Sequence, residues 1–249
     1  MSLGRRLDES RLAFMMLSRL PMGRLGDDPP TLGAAQWAFP LVGVVIGAIA
    51  WLVHAAALAV GLAPLLAAFL CIGAIILATG ALHFDGLADL ADGVGGRDVE
   101  HRLEIMRDSR IGSYGVLALV LSVGLQSAAL AQVSESANLL VFLLVGVVSR
   151  CVMLGLLVAL PPARADGLGA SASSRQYSAM FPGLAAAALL ILSLGTPSIL
   201  PVALTTLIGL GVAQYAKKRL GGQTGDVLGA GQVMAETGLW IALATTLPG

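Results

Sequence analysis

The sequence predicts an all-α integral membrane protein: a bundle of about seven transmembrane helices with an amphipathic, interfacial helix at its N-terminus. Three observations predict it. Only 12% of the 249 residues are charged and 57% are hydrophobic, about half the charge of an ordinary soluble domain, so too little polar surface remains for a water-soluble globule. Glycine is high, at 31 residues, and small residues let membrane helices approach closely. The apolar residues also fall in runs of the length that crosses a bilayer, about 20 residues of helix.

These runs lie at 34–56, 62–82, 113–133, 138–160, 179–195, 199–216 and 227–247. The fifth and sixth are short and also fit one bent pair. Turn-forming residues separate the runs: Gly61 and Pro64, Ser134 to Ser136, Pro161 and Pro162, Pro197 and Ser198, Gly221 and Gly222. No interior linker is long enough to separate a second domain, so residues 1–249 read as one polytopic membrane domain without internal repeats. Ahead of the first span, Leu3 to Leu20 mixes Arg5, Arg6, Arg11 and Arg19 with Leu7, Phe14, Met15 and Leu17. That mixture suits a helix lying in the lipid headgroups, ended by Pro21. No cleavable leader is expected, because residues 12–17 are too short an apolar stretch.

The distribution of charge orients the bundle. The formal net charge is +0, so the total carries no signal for an acidic partner, and no nucleic-acid partner is expected. Basic residues gather up to Arg24, in 83–112, in 161–178 (Arg164, Arg175) and at Lys217, Lys218 and Arg219. With seven spans these four segments share one face, while the opposite connections at 57–61, 134–137 and 196–198 carry no Lys or Arg. The positive-inside rule places the charged face in the cytoplasm. A cell inner membrane protein is expected, multi-pass in the lipid bilayer, with its chemistry on the cytoplasmic side.

Few polar side chains interrupt the spans. Arg150 and Glu236 lie about 15 Å from the charged end, 11 residues before Pro161 and 10 after Asp226 at about 1.5 Å per residue. A lone charge at that depth is costly, so the two are expected to pair and tie the fourth span to the seventh. The alternative is that Glu236 points into a polar substrate cavity without a basic partner. Cys71 and Cys151 sit inside apolar runs as packing residues, and His54 is expected at the far membrane interface.

Residues 83–115, HFDGLADLADGVGGRDVEHRLEIMRDSRIGSYG, carry the chemistry. Asp85, Asp89 and Asp92 recur at i, i+4 and i+7, one face of a helix. Three carboxylates on one face repel unless a positive group lies among them, and a hard divalent cation bound by oxygen is the usual answer. Gly86 and Gly93 leave room for close approach. Glu104 and Asp108 repeat the i, i+4 spacing, and Arg107 and Arg110 share their stretch. Carboxylates for a metal beside guanidinium groups for phosphate suggest phosphoryl transfer. A solvated, functionless loop needs neither helical register for its acids nor the apolar stripe of Leu87, Leu90 and Val94. A second segment, GGQTGDVLGAG at 221–231, opens the last span, where free backbone N–H groups bind phosphate; Asp226 there also suits a simple helix cap. A third, PPARADGLG at 161–169, adds Arg164.

HFDGLADLADG, LEIMRDSRIGSYGVLAL and GGQTGDVLGA, in this order and spacing, resemble the adenosylcobinamide-GDP ribazoletransferase family, the cobalamin 5′-phosphate synthases. FMMLSRLPMG and FPLVGVVIG support the resemblance, which extends over almost the whole chain. Phe84 stands where the family often has leucine. The resemblance implies a magnesium-dependent reaction of cobalamin biosynthesis. A hydroxyl of α-ribazole or α-ribazole 5′-phosphate attacks the cobinamide-linked phosphate of adenosylcobinamide-GDP, and GMP leaves. On this reading Asp85, Asp89 and Asp92 hold Mg2+ with Asp108 or Glu104. Arg107, Ser109, Arg110 and Arg164 receive phosphates, and Gly221, Gly222, Thr224 and Asp226 support the nucleotide. Asp92, Asp108 and His83 are the candidates for general base, and a homo-oligomer is left open. Two rivals are distinct. A CDP-alcohol phosphotransferase has Ala-Arg where this chain has Asp89 and Leu90. A cation transporter places carboxylates near the bilayer midplane, whereas only Glu236 is deep here.

Overall fold

The computed structural model describes residues 3–173 and 176–247, with Arg175 outside the described residues. Twelve α-helices follow in order: α1 (Leu3–Leu17), α2 (Leu32–Ala35), α3 (Phe39–Ala59), α4 (Pro64–Thr79), α5 (Leu82–Gly93), α6 (Val99–Ile105), α7 (Ser113–Gln132), α8 (Leu139–Ala159), α9 (Gly167–Ala172), α10 (Phe181–Leu194), α11 (Ile199–Arg219) and α12 (Gly225–Thr246). Short 3-10 turns lead into α3, α10 and α11. Among the described residues there is no strand, only an isolated bridge between Pro162 and Gln223.

Helix ends follow local chemistry. Proline sits in the first turn of α3, α4 and α10, where its missing N–H removes no hydrogen bond. Asn138 caps α8 by accepting from the N–H groups of Leu140 and Val141, and Thr224 caps α12 by accepting from Val227. The N-terminal helix ends at Leu17, before the expected Pro21, and turns Glu9, Ala13 and Leu17 inward on one face.

Six segments are long and apolar enough to cross a membrane alone: Leu32–Ala59, Ser113–Gln132, Leu139–Ala159, Tyr177–Leu194, Thr196–Arg219 and Gly225–Thr246. The pair α4 and α5, bent by 93°, makes a seventh when it is counted as one broken span. The bend thus falls after the second span, not between the fifth and sixth, which their 3-10 turns lengthen into independent crossings. Its cause is two consecutive left-handed residues, Gly80 at φ +64° and Ala81 at φ +60°. Ala81 alone of the described non-glycine residues has positive φ, which costs roughly 1 kcal/mol for a residue with a Cβ. α4 runs through the bundle, and α5 turns aside across its end.

Helices α8 and α12 form the centre: 83% of the α8 window and 72% of the α12 window are buried, against at most 39% for the others. α8 meets α3 at backbone contact, because Gly43 and Gly146 face each other and a Cβ on either would collide with the opposite carbonyl. Outer helices expose Leu117, Val120, Leu121, Leu189, Leu192, Leu207 and Leu210, a surface suited to lipid rather than water.

Contacts between the basic segments gather them at one end. The Arg19 N–H donates to the Ala78 carbonyl (2.7 Å), Arg107 pairs with Asp166 (2.6 Å), and the Gln223 N–H donates to Pro161 (2.8 Å). At the other end His54 is buried rather than interfacial. Its Nε2 lies 2.9 Å from Ser134 Oγ, and its ring packs on Phe142 at 5.4 Å. The apolar helix pair α3 and α8 encloses it, and Ser134 supplies its polar partner. Cys71 is buried, Cys151 is half-buried, and both are free thiols.

Arg150 and Glu236 meet directly. Arg150 Nη1 lies 3.3 Å from Glu236 Oε2, with side chains 1% and 6% exposed. Ser149 Oγ accepts from the same guanidinium at 3.1 Å, and Gln232 donates to Glu236. Removing one partner strands the other charge in an apolar interior. Arg150→Gln and Glu236→Gln are each expected to lower the thermal midpoint in detergent, by a loss on the order of 3 kcal/mol. The double variant is expected to regain part of it; strictly additive losses would show that the pair does not stabilise the bundle.

Candidate active site

The site begins with the crossing of α5 over the start of α12. A Cβ on Gly86 would lie 2.8 Å from the Asp226 carbonyl oxygen, and one on Gly229 would lie 3.1 Å from His83 Cα. The two backbones touch only because both positions are glycine. α5 buries Phe84, Leu87 and Leu90 on one side. On the other, Asp85 is exposed and Asp89 and Asp92 are half-buried. The crossing sets Asp226 beside Asp85 and Asp89.

Electrostatics report the crowding. Burial, then the charges of Asp85, Asp226 and Asp92, push the Asp89 carboxyl up to about 7, against a smaller opposing pull from Arg164. Arg164 Nη2 donates to the Leu103 carbonyl (3.0 Å) and lies 3.8 Å from Asp226 Oδ2, while its buried Nε has no partner among the described residues. Burial lowers the Arg164 pKa; Asp226 opposes that, Arg107 adds to it, and Asp166 and Asp89 oppose it. Asp85, Asp89, Asp226, Arg164, Arg107 and Asp166 therefore make one electrostatic cluster at the charged end.

A short parallel contact holds Arg164 there. The Ala163 N–H donates to the Gln223 carbonyl (2.8 Å), the Gln223 N–H to Pro161 (2.8 Å) and the Gln223 Nε2 to Gly169 (2.9 Å). Gly222 is pressed against Pro161, and its N–H reaches the Ala216 carbonyl at 3.2 Å. Gly221, at φ +81°, turns the chain out of α11. Thr224 Oγ1 lies 3.2 Å from Asp226 Oδ2 while capping α12.

Asp92, Asp108, Arg110 and Arg107 have partners of their own. Asp92 accepts the N–H groups of Gly112 (2.7 Å) and Gly115 (2.8 Å), capping α7 from a distance where Gly112 has no side chain to do so. Arg110 clasps Asp108 at 2.7 Å, and these hydrogen bonds hold the exposed Asp108 carboxyl down to about 2. Arg107 binds both oxygens of Asp166, at 2.6 and 2.9 Å. Ser109 and Glu104 are exposed beside them. His83 is buried, with Nε2 lacking a hydrogen-bond partner among the described residues. Among the described residues, no three His, Cys, Asp or Glu side chains are placed so that they could hold a metal ion together. Carboxylates are hard oxygen donors, and Asp85, Asp226 and Asp92 are, in that order, the acids whose charges act on Asp89.

Two members of the cluster differ from the sequence reading. Asp166 stands in a segment marked there by Arg164, although an acid two residues from an arginine is visible in it. The resemblance assigns Asp226 to the nucleotide, and the crossing places it with the α5 acids.

The fold and the site define a polytopic helical membrane protein with an acid-and-guanidinium centre at one end of its bundle. Residues 9–244 match the family described as Cobalamin-5-phosphate synthase, and the chain belongs to that family. It is 41% identical to a protein of Allorhizobium ampelinum, over 97% of this chain and 98% of the relative. It is 42% identical to one of Bradyrhizobium diazoefficiens (88% and 86%) and 44% identical to one of Xanthobacter autotrophicus (94% and 95%). All three relatives are named adenosylcobinamide-GDP ribazoletransferase. No solved structure matches the chain.

The raised Asp89 pKa has a testable sign. Between about pH 4 and pH 7 the folded protein binds more protons at Asp89 than the unfolded chain does, so its stability falls as pH rises through that window. Asp108 acts only below about pH 4, in the opposite sense. In chelator-treated protein the thermal midpoint of the wild type, taken relative to that of Asp89→Asn, is expected to drop from pH 5 to pH 7.5, since every other titrating group is common to the two. An identical slope in the variant would separate Asp89 from the effect.

Proposed function

We propose that this protein is a magnesium-dependent transferase that joins α-ribazole, or its 5′-phosphate, to adenosylcobinamide-GDP and releases GMP. What supports the reading most is the placement of Asp85, Asp89, Asp226 and Arg164 together at one end of a chain of this family. The ribazole hydroxyl oxygen forms a bond to the cobinamide-linked phosphorus, and the bond from that phosphorus to the oxygen of GMP breaks. Asp85, Asp89 and Asp226 would hold Mg2+, with Asp92, Asp108 and Glu104 at its periphery. When bound, the ion neutralises charge developing on the phosphate oxygens.

The chain's own groups do the rest. Arg164, anchored by the Leu103 carbonyl, directs its free Nε–H to a phosphate oxygen. Arg107 and Arg110 exchange Asp166 and Asp108 for phosphates as the donor binds, since these exposed ion pairs are individually weak. The proton lost by the hydroxyl passes to the carboxylate cluster, where Asp85 opens to water. The crossing of α5 and α12 orients both reactants and keeps the polar centre at the membrane edge.

The assay is release of GMP from adenosylcobinamide-GDP with α-ribazole phosphate and magnesium. Asp89→Asn is expected to lower the rate at least about 100-fold while leaving insertion and helix content intact. A variant of near-normal rate in limiting magnesium would remove Asp89 from the ion's site.

The charged end faces the cytoplasm of the inner membrane on this reading, as the basic segments require. Ser136→Cys is expected to react with an impermeant thiol reagent from outside intact cells, and Ser109→Cys only after lysis. Equal labelling of the two would overturn the orientation.

A further inference from the structure

Helices α10 and α11 each pack on α8 more than on one another, and a groove of about 280 Å³ opens between the three. Val148 and Ala159 of α8, Val202 and Ala213 of α11, and Met180 and Ala187 along the start of α10 mark its two ends. We propose that this groove holds one acyl chain of an anionic phospholipid from the leaflet on the charged side, with the headgroup phosphate on Lys217. No residue assigned above to the reaction lines the groove, so the site stands apart from that chemistry.

Shape selects a chain. α8 and α11 both finish at the charged end, and Ala159 and Ala213 are the members nearest it. Val148 to Ala159 and Val202 to Ala213 each span 11 residues, about 16 Å of helix. One leaflet of hydrocarbon is about 15 Å deep, half of a core of about 30 Å. The groove thus runs from the bilayer middle to the headgroups of one leaflet. Leu184 and Leu210 are exposed at its rim, so it opens towards lipid. Its walls offer a polar ligand little. Thr206 Oγ1 already donates to the Val202 carbonyl (2.9 Å), and the Cys151 thiol is a weak donor.

Charge selects the headgroup. Thr206, Leu210, Ala213 and Lys217 recur at i, i+4, i+7 and i+11, so Lys217 continues the α11 wall of the groove one turn beyond Ala213. It is exposed and has no ion pair or hydrogen bond among the described residues. Its stem can lie along the apolar wall while its ammonium reaches the interface. Exposed Tyr177, three residues before Met180, stands at the same end, as aromatic residues do at headgroup level. A choline headgroup carries its own cation beside the phosphate, whereas a glycerol headgroup leaves the phosphate charge to Lys217. Lys218 lies about 100° further round α11 and Arg219 about 200°, away from the groove.

The test compares dioleoylphosphatidylglycerol with dioleoylphosphatidylcholine on delipidated protein in detergent, with binding read by native mass spectrometry. Phosphatidylglycerol is expected to bind at least about fivefold more tightly, the worth of one basic side chain at an anionic surface. Lys217→Gln is expected to erase that preference and Lys218→Gln to keep it. A Cβ on Gly155 would meet Met180 Cε at 3.7 Å and nothing closer, so Gly155→Leu fills the groove and is expected to weaken both lipids. Thermal midpoints establish folding. If Gly155→Leu does not fold, a phosphatidylglycerol with a photoreactive diazirine in one acyl chain takes its place, and adducts are expected within 148–159, 180–187 and 202–213 of the wild type. Equal affinity of the wild type for the two lipids would overturn the site. So would an equal loss in Lys218→Gln, unchanged binding by folded Gly155→Leu, or adducts spread evenly over the outer helices.

Discussion

Everything at the charged end depends on two helix backbones coming into contact. α5 crosses the first turns of α12 at Gly86 and Gly229, where a single Cβ would push the helices apart. That contact brings Asp226 to Asp85 and Asp89. It exists because the chain turns by 93° at Gly80 and Ala81, so that α5 leaves the path of α4 and lies across the bundle. The left-handed Ala81 is a local cost that surrounding contacts must offset. The N-terminal segment contributes through the Arg19 N–H bond to Ala78 and the Arg19 side chain lying over Gly80.

The buried centre serves this arrangement from below. α8 and α12 are the two most enclosed helices, and Arg150 with Glu236 ties one to the other. Beyond them, α8 runs into the segment that carries Arg164, and α12 begins at the segment that carries Asp226. The contact of Pro161 to Ala163 with Gln223 joins those two segments directly. The deep ion pair and the shallow backbone contact thus fix the same pair of helices at two heights. Polar groups in low dielectric are satisfied in pairs or networks, which is why so few of them interrupt these spans.

The acidic residues of 85–108 divide their work. Asp92 caps α7, whose N-cap glycine has no oxygen of its own, and Asp108 closes on Arg110. Asp85 and Asp89 stay uncommitted beside Asp226. The helical stripe therefore combines one carboxylate committed to a helix cap with two that have no such commitment among the described residues. Spacing treats the three α5 acids alike, because it records the face a residue occupies and not the neighbour that waits there.

That distinction separates what was legible from what was not. Length and apolarity of the runs determined the spans, since a backbone in lipid must satisfy itself as helix. The absence of Lys and Arg from alternate connections determined which segments share an end. Equal depth in two spans made Arg150 and Glu236 candidates for a pair, and the structure brings them together. The stripe at Asp85, Asp89 and Asp92 marked the acid face, and the glycine-rich 221–231 marked a helix start. Only the tertiary structure decided where the chain bends, because two left-handed residues in an apolar run leave no trace in hydropathy. Only it decided that Asp226 joins the α5 acids, that Asp166 neutralises Arg107, and that His54 is enclosed with Ser134. Each depends on which helix crosses which and at what distance. Periodicity along one chain records side and depth, whereas a crossing is set by the shapes of two surfaces at once.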